Sequence, residues 1–273
     1  MKQRTSSLLL RCATWGAAFI TFVALLFLLG YILVMGLPHM KLSLFELNYN
    51  SVNVSMLPAL INTVTVVLLS LLIAVPLGVF TAIYLVEYAR RGSRIVRLVR
   101  LGAETLSGIP SIVYGLFGLL FFVTQLHWGF SVLAGTFTLA IMILPLIMRT
   151  SEESLKSVPD SFREGSFGLG AGRLRTVFRI VLPAAGPGIL AGIILAIGRI
   201  VGETAALIYT LGTVAQVPGS LLDSGRTLAI HMYALSSEGL HTGEAYATAV
   251  MLLIVVVGIN ALSRTLANRI TKA

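Results

Sequence analysis

Arg199 and Glu203 stand four residues apart in AIGRIVGETAAL, residues 196–207, inside a long apolar run. A guanidinium stays charged at any working pH and presents a planar fork of donors that matches two oxygens of an oxyanion. A carboxylate one helical turn away can neutralise that fork while no anion is present and release it when one arrives. The pair then acts as a weak, exchangeable site. Tight binding would trap the ion, and no binding would leave a desolvation barrier. Thr204 places a hydroxyl beside the pair, and Ser107 and Ser111, flanking Pro110, offer two more. Serine in apolar helices more often bonds its own backbone, so these two rank below the charged pair.

The surroundings make the pair expensive. Of 273 residues, 56% are hydrophobic and only 11% charged, and mean hydropathy is +0.92. Soluble domains carry about 25% charged residues. Lipid must be the solvent for most of this chain, and apolar runs of about 20 residues without period-two alternation predict spanning helices. Six are expected. Trp15 to Met35 is the first, too long for a signal-peptide core. Leu57 to Tyr84 is the second, with Pro58 in its first turn and a kink expected at Pro76. The uncharged stretch from Thr105 to Met148 holds the third and fourth, split by QLHWGF at 125–130, with Trp128 as an interface anchor. Pro183 to Tyr209 and Ala245 to Leu262 complete the set.

Arg199 falls sixteen residues after Pro183, about 24 Å along a helix, at or slightly past the bilayer midplane. An arginine there costs at least about 2.5–3.5 kcal/mol on insertion scales. Gly192 and Ala196 continue the same face, and small residues mark close helix contact. The pair is therefore expected to point to a protein interface or a polar cavity. A purely structural ion pair is the competing reading. It is weakened by the Arg-before-Glu order and by the finding that buried pairs are often replaceable by apolar residues without loss.

The net charge of +9 is not a nucleic-acid signal. Seventeen of the twenty Lys and Arg fall in the N-terminal tail, the loop at 85–104, the loop at 149–182 and the C-terminal tail. That is the positive-inside pattern, and it predicts two cytoplasmic termini. Residues 38–56 and 211–243 then face outward, with TLAIHMYALSS, 227–237, as a short interfacial helix. His39, His127, His231 and His241 are expected at interfaces. The single cysteine, Cys12, excludes an internal disulfide. No Walker A, H-E-x-x-H or G-x-S-x-G pattern is present, which favours a transport subunit over an enzyme and assigns any ATP hydrolysis to another chain. No metal or other cofactor is expected on this chain.

The largest cytoplasmic piece, 149–183, predicts a helix–glycine–helix unit. Ser161-x-x-Glu164 has the form of a capping box, Gly168, Gly170 and Gly172 end the helix it starts, and Arg173 to Val181 forms a second, basic one leading to Pro183. Within it, EGSFGLGAGRLRTVFRIVLP resembles the cytoplasmic EAA loop of binding-protein-dependent ABC importer permeases: Glu164-Gly165-Ser166, three residues, Gly170, nine residues, then Ile180-Val181-Leu182-Pro183. The spacing is intact, with glycine and serine in place of two alanines. GIPSIVYGLFG (108–118), GRIVGETAAL (198–207) and HMYALSSEGLHTGEAYAT (231–248) resemble the permease pair of phosphate importers, and the last is more similar to the PstA-type than to the PstC-type subunit.

The resemblance implies a single all-α permease domain over 1–273, with the type I importer (MetI-like) fold, in a bacterial inner membrane. It implies that Ser161, Glu164, Gly165, Ser166, Gly170 and Pro183 belong to the element that docks on a cytoplasmic ATPase, which holds ATP and Mg. A PstC-type permease and an extracytoplasmic phosphate-binding protein complete the implied assembly. The alternatives are the PstC-type role itself, another oxyanion as cargo, a secondary transporter independent of ATP, and an intramembrane enzyme.

Overall fold

The computed structural model describes residues 2–90 and 92–272, with side chains outside 2–9, 263–264 and 266–272. Of the basic residues used for orientation, Arg91 and the side chains of Lys2, Arg4, Arg264, Arg269 and Lys272 lie outside the described residues. Helices make the whole framework. α1 (Lys2–Gly36) leads through two short 3-10 turns to α2 (Leu57–Ile83), which carries Pro58 in its first turn, runs on through Pro76 and ends in a widened turn at Tyr84–Tyr88. α3 (Arg94–Ser107) and α4 (Ser111–Gly118) follow, and α4 widens at Leu119–Gln125. α5 (Val132–Lys156) begins where Ser131 Oγ accepts the Ala134 N–H at 3.2 Å. α6 (Asp160–Gly168) and α7 (Arg173–Thr176) form a helix–glycine–helix unit. A wide turn at Val177–Val181 joins α7 to α8 (Leu182–Val201); α9 (Ala205–Ile208), α10 (Leu228–Glu238) and α11 (Thr242–Lys272) complete the chain.

α5 is the central pillar. It packs on α2 and α8 and touches α3 and α4, with Leu139, Ile143 and Ile147 at the middle of the main core. Small residues allow the close approaches. A Cβ on Gly78 of α2 would come within 2.8 Å of Ile147, and Gly192 of α8 lies directly against Thr150. Gly192 and Ala196 thus sit on a packed face, as their spacing predicts. α1 stands apart, resting on α11 with its apolar surface uncovered by the chain.

Among the described residues, five helices are long and apolar enough to cross a membrane, or six if the bent α3–α4 pair counts as one span. The expected third span is therefore not one straight helix from Thr105. α3 and α4 meet at 101° across Gly108–Pro110. Pro110 has no N–H to donate and disfavours helical conformation at Ile109, and together with Gly108 it makes this the point where the helix stops and restarts. The expected fifth span also ends early. α8 stops at Val201, not Tyr209, and Gly202–Thr204 break it before α9. Irregular backbone at membrane depth survives only where protein buries it or a cavity wets it.

Two smaller expectations are corrected. α6 starts at Asp160 with Pro159 at the cap position, so Ser161 is an exposed residue within the first turn and caps nothing. Pro159 holds the chain extended just before the helix, and Asp160 supplies the acidic first residue that the helix dipole favours. The helix at 227–237 is present as α10, yet His231 is not interfacial: it is fully buried, because α10 packs against α11 and α2.

Candidate functional site

The break after α8 decides the geometry of the charged pair. Gly202 and Glu203 close the last turn through N–H bonds to Gly198 and Ile200 carbonyls. The chain then turns, and Glu203 Oε1 accepts the Ala206 N–H at 3.0 Å. The carboxylate, 9% exposed, acts as a cap for α9. Among the described residues no ion pair joins it to Arg199, so the expected one-turn pairing is not formed. The reason is the glycine: pairing over four residues needs a continuous helix, and the helix ends between the two.

Arg199 is half-buried, and its guanidinium makes no side-chain hydrogen bond or ion pair among the described residues. It lies within electrostatic range of Tyr114 on α4, whose hydroxyl donates to the Leu106 carbonyl at 2.7 Å across the α3–α4 bend. Two helix breaks, at Gly108–Pro110 and Gly202–Thr204, therefore flank one arginine. They are held together by α4 packing on α9, where Gly115 leaves no room for a Cβ against Ala206.

The other expected residues separate. Thr204 lines a cleft of about 740 Å³ together with Tyr209, Tyr233, Ser236, Thr242 and Tyr246. Neither Arg199 nor the two serines lines it. Ser107 is exposed and donates to its own Ala103 carbonyl at 2.9 Å, while Ser111 is half-buried at the start of α4.

In the α6–α7 unit, Glu164 and Gly165 are exposed on α6, Ser166 is buried with its Oγ 2.8 Å from Thr176 Oγ1, and Gly170 turns the chain at φ +81°. Pro183 starts α8, exposed. Phe162, Phe167, Leu169 and Leu174 stand uncovered around them.

Arg163 was missed from the sequence as anything but a topology charge. Its Nη2 donates to Glu87 Oε1 at 2.7 Å and to the Leu155 carbonyl at 3.0 Å, and Nη1 donates to the Val158 carbonyl at 2.8 Å. This fixes α6 to the end of α2 and to α5. Its separation from Glu87 by 76 positions leaves no local signal to find it by.

A second missed arginine lies just before α10. Arg226 is 5% exposed, and its guanidinium sits 4.5 Å from the Tyr49 ring. His231 packs edge-on to the same ring at 6.1 Å. Burial, and then the charge of Arg226, hold His231 down at about 3, against an opposing pull from the Val54 backbone.

Residues 74–272 match the family described as binding-protein-dependent transport system inner membrane component. The chain is 34% identical over 229 residues to a probable ABC transporter permease protein, YqgI, of Bacillus subtilis, covering 78% of each. It is 35% identical over 205 residues to the phosphate transport system permease protein PstA of Mycobacterium leprae, covering 74% of this chain and 67% of that one. Among solved structures, a chain of a bacterial alginate ABC transporter, bound to its alginate-loaded periplasmic protein, superposes with a TM-score of 0.67 at 17% identity over 96% of both chains. The importer permease fold, several membrane-crossing helices and a loop of the EAA spacing agree with one another. The chain belongs to the binding-protein-dependent transport system inner membrane component family, as a multi-pass permease subunit of an ABC importer.

Proposed function

We propose that this chain is the PstA-type permease of an importer that carries inorganic phosphate into the cytoplasm. In this reading a PstC-type permease lies beside it, an extracytoplasmic binding protein delivers phosphate, and cytoplasmic ATPase subunits supply ATP and Mg chemistry. The single domain spans 1–273 with both termini cytoplasmic, and 149–183 is the coupling loop. Relatives named as phosphate permeases support the cargo.

The observation that carries the reading is the unpaired guanidinium of Arg199 between two helix breaks. Discontinuous helices in transporters open backbone toward the substrate route. Arg199 offers a bidentate fork to a passing phosphate. Glu203, tied to the Ala206 N–H, keeps a negative charge nearby that repels a dianion and stops it from lodging. Thr204 offers a hydroxyl from the cleft, and Ser111 stands at the start of α4. The cleft is open on one side and is completed by the partner permease. At the other end, Ser161, Glu164, Gly165 and Gly170 form the face that docks on the ATPase, with Ser166, buried against Thr176, and Pro183 supporting it from behind.

The test is radiolabelled phosphate uptake by the reconstituted transporter. Arg199→Lys keeps the charge and loses the fork, so uptake should fall about tenfold or more while assembly and ATP hydrolysis without cargo persist. Wild-type uptake at equal expression would remove Arg199 from the route. Another oxyanion remains the second reading, since the fork fits any of them; sulfate competing as well as phosphate would favour it.

A further inference from the structure

The cytoplasmic side holds a cavity of about 540 Å³ to which transport assigns no task. It opens where the turn after α2, the basic helix α3, the end of α5 and the coupling unit meet. Arg90, Arg100, Lys156, Arg163 and Arg173 bring five cations to its wall, with Glu87 and Asp160 as the acidic lining. Arg163 holds Glu87, and Arg100 and Lys156 share the buried Glu152 at 2.6 Å each. Five cations thus face three carboxylates. Arg90 and Arg173, both exposed, have no carboxylate within ion-pair distance among the described residues; Arg173 lies 5.8 Å over the Tyr88 ring.

α3 sets the height of this cavity. Val96 is buried against the bundle, while Ile95, Leu98 and Leu101 stand exposed at 63%, 69% and 58% beside Arg94, Arg97 and Arg100. A helix with an uncovered apolar stripe next to a cationic one lies in the headgroup plane of a bilayer. Its 101° angle to α4 agrees, since a helix lying in that plane runs across the spanning direction. The commonest anions at that depth are lipid phosphates.

We propose that this cavity binds a phosphoryl anion, supplied by the headgroup of an anionic phospholipid of the inner leaflet. The non-bridging phosphate oxygens accept from guanidinium forks and from an ammonium, and basic pockets between membrane helices on this side hold such groups. A phosphate there bridges Arg90 before α3, Arg100 on α3, Lys156 on α5 and Arg173 on α7, and so adds α7 to the α3–α5 contact already made through Glu152. It would fix the coupling unit relative to the membrane body, so lipid charge would tune how binding-protein docking reaches the ATPase. Free inorganic phosphate offers the same chemistry. It would instead make the cavity a sensor of cytoplasmic anion. The site shares no residue with the Arg199 route and does not depend on the cargo.

The test uses the complete transporter in nanodiscs of phosphatidylcholine alone, of phosphatidylcholine with phosphatidylglycerol, and of phosphatidylcholine with millimolar inorganic phosphate in solution. Retained lipid is read by native mass spectrometry, and ATPase stimulation by loaded binding protein is read in parallel. Phosphatidylglycerol should be retained and should raise stimulation. Arg90→Gln and Arg173→Gln should each cut retention about fivefold, with Arg90→Lys keeping most of it. If soluble phosphate alone reproduces the stimulation, with the same losses in the variants, the phosphoryl site stands and its lipid source falls. If both glutamine variants retain phosphatidylglycerol as the wild type does, and neither probe changes stimulation, the proposal is overturned.

Discussion

Two arginine–glutamate pairs invite opposite expectations, and the structure reverses both. Arg199 and Glu203 are neighbours in sequence and stand apart, each facing a different task. Arg163 and Glu87 are separated by 76 positions and are locked together. The difference lies in what surrounds each guanidinium. Arg163 meets the Glu87 and Asp160 carboxylates and two carbonyls at the end of α5 and in its following turn, so its fork is saturated. Arg199 sits just before a glycine that ends its helix, and the carboxylate that could have met it accepts a backbone N–H instead. A saturated guanidinium is a joint between elements. One with free donors is available to a ligand.

Breaking the joint should give the largest effect. Arg163→Ala leaves Glu87, whose side chain is 8% exposed, buried without its cation. Breaking such a pair costs about 3–5 kcal/mol. The transporter should melt several degrees lower, and binding-protein stimulation of its ATPase should be lost because α6 is no longer fixed. Arg163→Lys should fall between, keeping charge without the fork. Arg199→Ala should hardly move the melting temperature. Equal melting of the two alanine variants would erase the distinction between joint and site.

Much of the fold was legible because membrane solvation leaves few choices. Uncharged runs of bilayer length had to be helices, and Gly192 and Ala196 announced the face that packs on α5. The breaks were written there too, as Pro110 and Gly202, but a hydropathy window reads straight through both. Pro76, Pro145 and Pro187 sit inside helices that continue, so proline alone does not mark a break; the tertiary neighbours decide. The coupling unit was readable from glycine spacing, although Pro159 rather than Ser161 starts its helix. Arg163 and Arg226 gave no local sign, since their partners are remote or lie in folded loops; Glu152 stands one turn from Lys156, but its second partner, Arg100, is remote.

Arg226 makes a third case, with a cation buried over an aromatic ring instead of a carboxylate. Its neighbour His231 sharpens the contrast through pH. The unfolded imidazole takes a proton near 6.5, whereas the folded one holds off until about 3, through burial first and the Arg226 charge second. As pH falls below about 6.5 the unfolded state binds the proton first, so stability is whole above that value and declines toward about 3. Thermal unfolding followed from neutral to about pH 4.5 should show this slope, and His231→Leu should flatten it. A slope unchanged by that substitution would assign the acid sensitivity to other groups and leave His231 a passive filler.

The smallest effect, and the finest discrimination, lies at Glu203, where capping and charge can be separated. Glu203→Gln keeps an oxygen for the Ala206 N–H, now 3.0 Å from Oε1, and removes the charge. Glu203→Ala removes both. Loss of a capping acceptor costs about 1 kcal/mol, so the alanine variant should melt slightly lower and the glutamine variant as wild type. If the carboxylate also keeps phosphate from lodging at Arg199, both variants should hold phosphate longer and import it more slowly. A glutamine variant that imports at the wild-type rate would reduce Glu203 to a cap. Arg199 would then need no counter-charge to release its ion.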